Sequence, residues 1–280
     1  MLSEIPSFEI AGEIPIGGRH PFVLISGPNV IESEKLCFKV AEELLALTSS
    51  LDIPFIFKSS YDKANRSSIH SFRGPGLKEG FDILKTLKSR YKIHVLTDVH
   101  SVEEVLPVAE VVDVIQIPAF LCRQTDLVAA AAKTGKPVNI KKGQFLAPGD
   151  MKNIVEKITS HGNHQILLTE RGVSFGYRNL IVDMTSFQEM RFLGYPVVFD
   201  ATHSVQLPTA EGNRTGGRRE FIPILSRAAV ASGIDALFLE VHPEPDLAKC
   251  DAASCTRLGD IEPLLRTLKS MDAIVKGDQS

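Results

Sequence analysis

The densest chemistry in this chain lies in one short stretch. Lys58-Ser59-Ser60-Tyr61-Asp62-Lys63-Ala64-Asn65-Arg66-Ser67-Ser68 follows directly on the apolar run Ile53-Pro54-Phe55-Ile56-Phe57. Two lysines, an arginine, an amide and four serines stand there against a single acid, Asp62. A lysine meets phosphate as a point charge and an arginine as a two-pronged fork, so the composition suits an anionic, hydroxyl-rich ligand such as a sugar phosphate. The plain alternative is a solvated loop, which charged connections usually are. What the rest of the chain gathers beside it decides between the two.

Seven other apolar runs also end in polar groups. They carry Asn29 and Glu32, Asp98 and His100, Gln116, Lys141 and Gln144, Glu170 and Arg171, Asp200 with Thr202, His203 and Gln206, and Glu240 with His242. Lys58, Lys63, Arg66, Lys141 and Arg171 form a cationic set, and five cations in one mouth imply more than one anion. Two phosphates, or a phosphate and a carboxylate on two substrates, would use them. Asp98, His100, His203, Glu240 and Asp251 are candidate general acids and bases, histidine titrating near neutral pH. His203, Glu240 and Asp251 also offer one nitrogen and two oxygen donors, a set for a divalent cation if a fourth ligand joined them. Asn29 could stand in the fourth place, but a carboxamide oxygen is a weak neutral donor and argues against tight metal binding. Residue chemistry alone leaves both uses of the trio open.

Bringing these residues together requires a scaffold that ends many strands at one mouth. Apolar runs at 21–29, 53–57, 93–100, 112–118, 137–143, 165–172, 196–203 and 236–243 each lead into a helical or loop segment. Helical periodicity follows over 33–47, 76–90, 102–106, 124–133, 151–161, 185–193, 221–232 and 261–271. Near-continuous apolar strands belong to a parallel sheet covered on its outside. Eight such units in about 250 residues predict a single (β/α)8 barrel, with its functional residues at the C-terminal ends of the strands. An open doubly wound sheet is disfavoured, because Ser26-Gly27-Pro28-Asn29 lacks the Gly-x-Gly-x-x-Gly phosphate loop. Residues 1–18 read as a hairpin that caps something, 276–280 as a disordered tail, and the whole of 1–280 as one domain.

Composition narrows the partners. A net charge of −3 with 23% charged residues gives no footprint for nucleic acid, so any cationic site is local. No apolar run nears the ~20 residues that cross a bilayer. Met1-Leu2-Ser3-Glu4-Ile5-Pro6 lacks the basic and apolar regions of a signal peptide, so a cytoplasmic protein is expected. In that reducing compartment the scattered Cys37, Cys122, Cys250 and Cys255 are expected as free thiols.

The loop from Lys58 to Ser68, with Ser71-Phe72-Arg73-Gly74-Pro75-Gly76 after it, closely resembles the signature of the 3-deoxy-D-manno-octulosonate-8-phosphate synthase family. Thr97-Asp98-Val99-His100, Gln116-Ile117-Pro118-Ala119-Phe120-Leu121, Asn139-Ile140-Lys141-Lys142-Gly143-Gln144-Phe145, Glu170-Arg171-Gly172 and Asp200-Ala201-Thr202-His203-Ser204-Val205-Gln206 match in the same order. The likeness runs from residue 8 to 268. It implies condensation of phosphoenolpyruvate with D-arabinose 5-phosphate and water, a (β/α)8 barrel usually found as a homotetramer, and a product feeding bacterial lipopolysaccharide or plant cell walls. It also implies roles. Lys58 and Lys63 would hold phosphoenolpyruvate with Gln116 and the Ala119 backbone nearby, and Lys141 and Arg171 would bind its phosphate. Asn65, Arg66 and Ser67 would form the arabinose-phosphate site. His203, Glu240 and Asp251 occupy the metal-site positions, and Asp98 and His100 lie beside the reacting carbons.

One position divides that family. Metal-dependent members carry cysteine after the Gly-Pro that ends the first strand, and this chain has Asn29 there. Cys250-Asp251 resembles metal-independent members, although Ala252 stands where many of those have glycine. The expectation is therefore an enzyme with no metal and no other cofactor, in which Asn29 and Asp251 orient substrate or water. The related 3-deoxy-D-arabino-heptulosonate-7-phosphate synthases would be expected to keep Gly-Pro-Cys and an Arg-Pro-Arg-Thr-like motif in place of Asn65-Arg66-Ser67-Ser68. A Schiff-base aldolase using Lys58 or Lys141 and a silent sugar-phosphate sensor are further alternatives. The glycine-rich, basic segment 208–220 reads as a lid or a subunit contact.

Overall fold

The computed structural model describes residues 5–66, 68–211 and 214–277. Strands β1 (Ser7–Ile10) and β2 (Ile14–Gly17) form the expected antiparallel hairpin. Then come β3 (Val23–Gly27), α1 (Glu34–Ser50), β4 (Phe55–Lys58), α2 (Leu77–Tyr91), β5 (His94–Asp98) and α3 (Val102–Ala109). The alternation continues through β6 (Val114–Ile117), α4 (Thr125–Lys133), β7 (Val138–Lys141), α5 (Met151–Thr159) and β8 (Ile166–Glu170). A two-stranded excursion, β9 (Val173–Ser174) with β10 (Leu180–Ile181), precedes α6 (Thr185–Arg191), β11 (Val197–Asp200) and the short α7 (Ala201–Ser204). The chain closes with the antiparallel pair β12 (Gln206–Glu211) and β13 (Arg214–Gly217), α8 (Ile222–Ala231), β14 (Ala236–His242), β15 (Thr256–Arg257) and α9 (Ile261–Lys276).

Eight parallel strands run in the order β11-β8-β7-β6-β5-β4-β3-β14, and β14 pairs back with β11, so the sheet is a closed barrel. Seven of the eight are buried along their whole length, as strands covered on both faces must be. Two apolar layers result. The outer one lies between strands and helices. The inner one joins Val23, Ile25, Ile56, Leu96, Val114, Leu167, Val198, Ala236 and Phe238 inside the barrel to Ile10, Ile14 and Ile16 of the hairpin. The hairpin thus plugs the N-terminal end of the barrel and leaves the opposite end for chemistry.

The period of two along a strand places that chemistry. Lys58 follows Ile56 by two residues, Asp98 follows Leu96, Gln116 follows Val114, Asp200 follows Val198 and Glu240 follows Phe238. An apolar plug below therefore turns into a polar layer above it. One expectation needs correction. Helix α9 runs through Lys276, which is buried and 2.9 Å from Asp272, so the tail does not begin there; 278–280 lie outside the described residues. The described part of 208–220 lies largely in the pair β12 and β13, and a Cβ on Gly217 would stand 2.8 Å from the Ala253 carbonyl carbon, so the end of β13 packs against the 252–254 turn.

Candidate active site

The site begins with a close approach of two backbones. A Cβ at position 27 would lie 2.1 Å from the Lys58 carbonyl oxygen, so only glycine lets the ends of β3 and β4 meet. Pro28 and Asn29 continue from there into the barrel mouth. Asn29 Nδ2 donates to Glu240 Oε2 and, at 3.1 Å, to Asp251 Oδ2, while its backbone oxygen accepts from Lys58 Nζ at 3.1 Å. Lys58 Nζ also donates to Ser60 Oγ at 3.1 Å and to Glu240 Oε1 at 2.7 Å. Burial alone would raise the Glu240 carboxyl, but Lys58, His203 and Lys63 overcome it and hold the pKa at about 2.

On the far wall Lys141 Nζ lies 2.6 Å from Asp200 Oδ2 and 3.2 Å from the centre of the Phe238 ring. Burial lowers its pKa to about 8 in spite of that carboxylate. Asp200 also caps α7. Its Oδ1 accepts from the His203 backbone N–H at 2.9 Å, and its Oδ2 meets His203 Nδ1 at 2.7 Å. Burial opposes ionisation of Asp200, but His203, Lys141 and Arg171 keep its carboxyl well below the usual range. With its Nδ1 proton held by Asp200, His203 turns Nε2 toward Glu240 Oε2 at 3.6 Å and Asp251 Oδ2 at 3.8 Å.

Between these walls Ser60 Oγ donates to Asp98 Oδ1 at 2.5 Å, and His100 Nε2 lies 3.0 Å from Asp98 Oδ2. Gln116 Oε1 accepts from Asn139 Nδ2 at 3.0 Å, which leaves the Gln116 amide nitrogen as the end a ligand can use. Arg171 donates Nη2 to Gln206 at 2.9 Å, and Arg66 donates Nη1 to Cys250 Sγ at 2.8 Å. Arg171 Nη1 and Arg66 Nε are buried with no hydrogen-bond partner among the described residues. Lys63 loses stabilisation of its charge to burial, yet Glu240, Asp98, Cys250 and Asp251 raise its pKa above the ordinary value.

These side chains surround a cavity of about 380 Å³. Lys58, Lys63, Asn65, Arg66, Asp98, His100, Gln116, Ala119, Lys141, Arg171, His203 and Asp251 line it, while Asn29 and Glu240 are buried and reach it through their bonds to Lys58 and Asp251. Ser67 lies outside the described residues. Four of the strand-end groups turn elsewhere, among them buried Thr202, whose Oγ1 accepts from the Glu240 backbone N–H at 2.8 Å. Glu170 has the opposite parity from Thr169, accepts from the Arg171 and Gly172 backbone N–H groups and faces Lys142 at 3.4 Å. Glu32 accepts from the Lys249 N–H and stands 3.7 Å from His242, so these two brace the loop that carries Asp251. Sequence reasoning gave no role to Ser60, Phe238 or Cys250; inward parity two residues beyond Ala236 was the available signal for Phe238.

The described residues include one group of acids and imidazole that could hold a metal ion: His203, Glu240 and Asp251, with ligand atoms within 4.8 Å of one another. Beside this trio stands Asn29, whose amide nitrogen donates to both carboxylates, Glu240 Oε2 and Asp251 Oδ2, while its Oδ1 is buried with no hydrogen-bond partner among the described residues.

A barrel mouth with this many cations, two arginines holding unpartnered N–H groups and paired acid and imidazole groups defines a (β/α)8 enzyme of anionic substrates. The chain belongs to the DAHP synthetase I family, whose model matches residues 5–277. It is 60% identical over 265 residues to the "2-dehydro-3-deoxyphosphooctonate aldolase" of Geotalea uraniireducens (strain Rf4), covering 95% of this chain and 97% of the relative. It is 58% identical over 267 residues to the protein so named in Pelobacter propionicus (strain DSM 2379 / NBRC 103807 / OttBd1), covering 95% and 98%. The protein of that name in Geobacter metallireducens (strain ATCC 53774 / DSM 7210 / GS-15) is 59% identical over 269 residues, covering 96% and 99%.

Proposed function

We propose that this chain condenses phosphoenolpyruvate with D-arabinose 5-phosphate and water to 3-deoxy-D-manno-octulosonate 8-phosphate and inorganic phosphate. The observation that carries the reading is the pair of buried guanidinium N–H groups with no partner among the described residues, Arg171 Nη1 and Arg66 Nε, on one cavity that Lys58, Lys63 and Lys141 also line. A buried donor left unpaired in the free protein is an anion socket, and two sockets suit two anionic substrates. Arg171, Lys141, Lys58 and Lys63 take phosphoenolpyruvate; Arg66 and Asn65, with Ser67, take the pentose phosphate.

Facing the two substrates across the mouth supplies much of the acceleration. C3 of phosphoenolpyruvate forms the new bond to the aldehyde carbon, and the aldehyde oxygen takes a proton. Water adds to C2, and the C2–O bond breaks as inorganic phosphate leaves with the bridging oxygen. The lysines and Arg171 neutralise the carboxylate and phosphate while charge develops at C2. Asp98 and His100 stand beside the reacting carbons. His203, its Nδ1 held by Asp200, presents Nε2 with Glu240 and Asp251 to the water or its proton.

We infer further that turnover needs no metal, supported by the Asn29 amide between Glu240 and Asp251. The protein acts as a cytoplasmic homotetramer that serves lipopolysaccharide or plant cell-wall synthesis. Exposed Phe120 and Phe145 after β6 and β7, with Phe175 and Tyr177 between β9 and β10, support self-association at the mouth end. Among the described residues no helix is long and apolar enough to cross a membrane. Phosphate release from phosphoenolpyruvate, measured with arabinose 5-phosphate against erythrose 4-phosphate and with and without EDTA, tests the reading. Turnover only with the four-carbon sugar overturns the substrate assignment. Loss with EDTA and recovery with a divalent ion overturns the metal-free mechanism.

A further inference from the structure

We propose that Glu104 is a positioning residue for the reaction. From the outer helix α3 it holds the His100 ring doubly protonated between two carboxylates, so that His100 works as a fixed cation and donor and not as a base. Glu104 Oε2 accepts from the Tyr61 hydroxyl at 2.6 Å and from the His100 backbone N–H at 2.8 Å, and it lies 3.2 Å from His100 Nδ1. That last approach is an ion pair at an angle and not an aligned hydrogen bond. On its other side the ring meets Asp98 Oδ2 through Nε2 at 3.0 Å. A neutral imidazole has one N–H and would turn a lone pair on one of the two acids; the imidazolium offers a proton to each.

The surroundings keep this arrangement in place. Tyr61 is buried and packs edge-on against the His100 ring, 5.5 Å between centres. A Cβ at Gly80 of α2 would lie 2.4 Å from the Tyr61 Cβ, so helix and tyrosine are in close contact and the phenol that holds Glu104 has little room to move. Asp98 on β5, Glu104 on α3 and Asp62 in the loop after β4 face His100 as acids, and Lys63 of that loop faces Asp98 as the opposing cation. Burial disfavours the charged ring, but Asp98, Glu104 and Asp62 outweigh it and raise the His100 pKa above its ordinary value. Pinned by His100 on one oxygen and Ser60 on the other, Asp98 stays ionised and oriented in the mouth.

The inference rests on the proposed condensation taking place beside His100, and its tests separate the two. Glu104→Gln keeps an oxygen for Tyr61, for the backbone N–H and beside Nδ1, but removes the negative charge. Nitrogen-15 NMR of labelled imidazole, with the His100 signal assigned by its loss in His100→Gln, is expected to show an imidazolium in the wild type at neutral pH and a neutral ring in Glu104→Gln. The basic limb of the kcat profile is expected to move down by about one pH unit or more in Glu104→Gln, with activity recovering at the acidic end. Tyr61→Phe, which loses the hydroxyl but leaves the Glu104 charge, is expected to keep the limb in place. A neutral His100 in the wild type, a uniform loss in Glu104→Gln at every pH, or an equal move of the limb in Tyr61→Phe overturns the proposal. If Glu104→Gln does not fold, the wild-type titration alone decides. Unchanged turnover in His100→Gln would instead refute the placing of the reaction beside His100.

Discussion

Replacing Asn29 by cysteine tests how the centre of this site is balanced. In the native chain one amide donates to two carboxylates, Glu240 and Asp251. A hydrogen bond to a charged acceptor contributes about 1.5–3 kcal/mol, so exchanging two of them for one weak S–H donor costs roughly 3 kcal/mol. An unfolding entropy of ~2.1 cal/mol/K per residue over the 280 residues makes that a fall in Tm of about 5 °C for the metal-free variant. Cysteine, however, completes a four-donor set with His203 Nε2, Glu240 Oε2 and Asp251 Oδ2, which a divalent ion such as Zn²⁺ favours. At a free ion concentration about a hundredfold above Kd, binding returns about 2.7 kcal/mol. Scanning calorimetry with and without Zn²⁺ or Mn²⁺ should therefore show Asn29→Cys recovering about 4–5 °C while the wild type moves by less than about 1 °C. Turnover of the variant should become sensitive to EDTA. An equal rise in the wild type, or its inactivation by EDTA, would refute the argument that the amide replaces the cation.

Other outcomes follow from the same geometry. Arg66→Ala should raise KM for the pentose phosphate by about 10²-fold, from the loss of charge-assisted bonds worth ~2–3 kcal/mol, and leave KM for phosphoenolpyruvate nearly unchanged; equal loss for both would show that the two anion sites are not divided as proposed. Lys141 carries its charge below a pKa of about 8 and loses it as pH rises through that value, so kcat/KM for phosphoenolpyruvate should fall on that limb, and Lys141→Arg should move the limb upward. A profile flat well above pH 8 would count against a charged role for Lys141. Gly27→Ala should cost at least about 1–3 kcal/mol in chemical denaturation and lower turnover, because the new methyl meets the Lys58 carbonyl and parts the strand ends; a variant normal in both would contradict that close approach.

The eight strands were legible because a strand buried on both faces is apolar from end to end, and each helix between them kept its own periodicity. Helix α9 was read too short because Asp272 and Lys276 look like surface charges in sequence. They are buried as a pair, with Asp272 also accepting the Phe22 N–H at 2.9 Å. The pair β12 and β13 was missed because glycines and arginines give no strand signal, and its place depends on the turn at 252–254.

What the sequence determined by itself was local: the apolar runs, their period of two, and a polar residue at the end of each run. Period alone puts Lys58, Asp98, Gln116, Asp200 and Glu240 on the inward face once the barrel is known. Which groups touch was decided by the closed sheet. Asn29 meets Glu240, 211 residues away, because β3 and β14 are hydrogen-bonded neighbours, and Glu104 meets the Tyr61 hydroxyl, 43 residues away, where α3 comes against the loop after β4. Partner choice across such separations depends on closure and side-chain packing, which residue types and spacing do not encode.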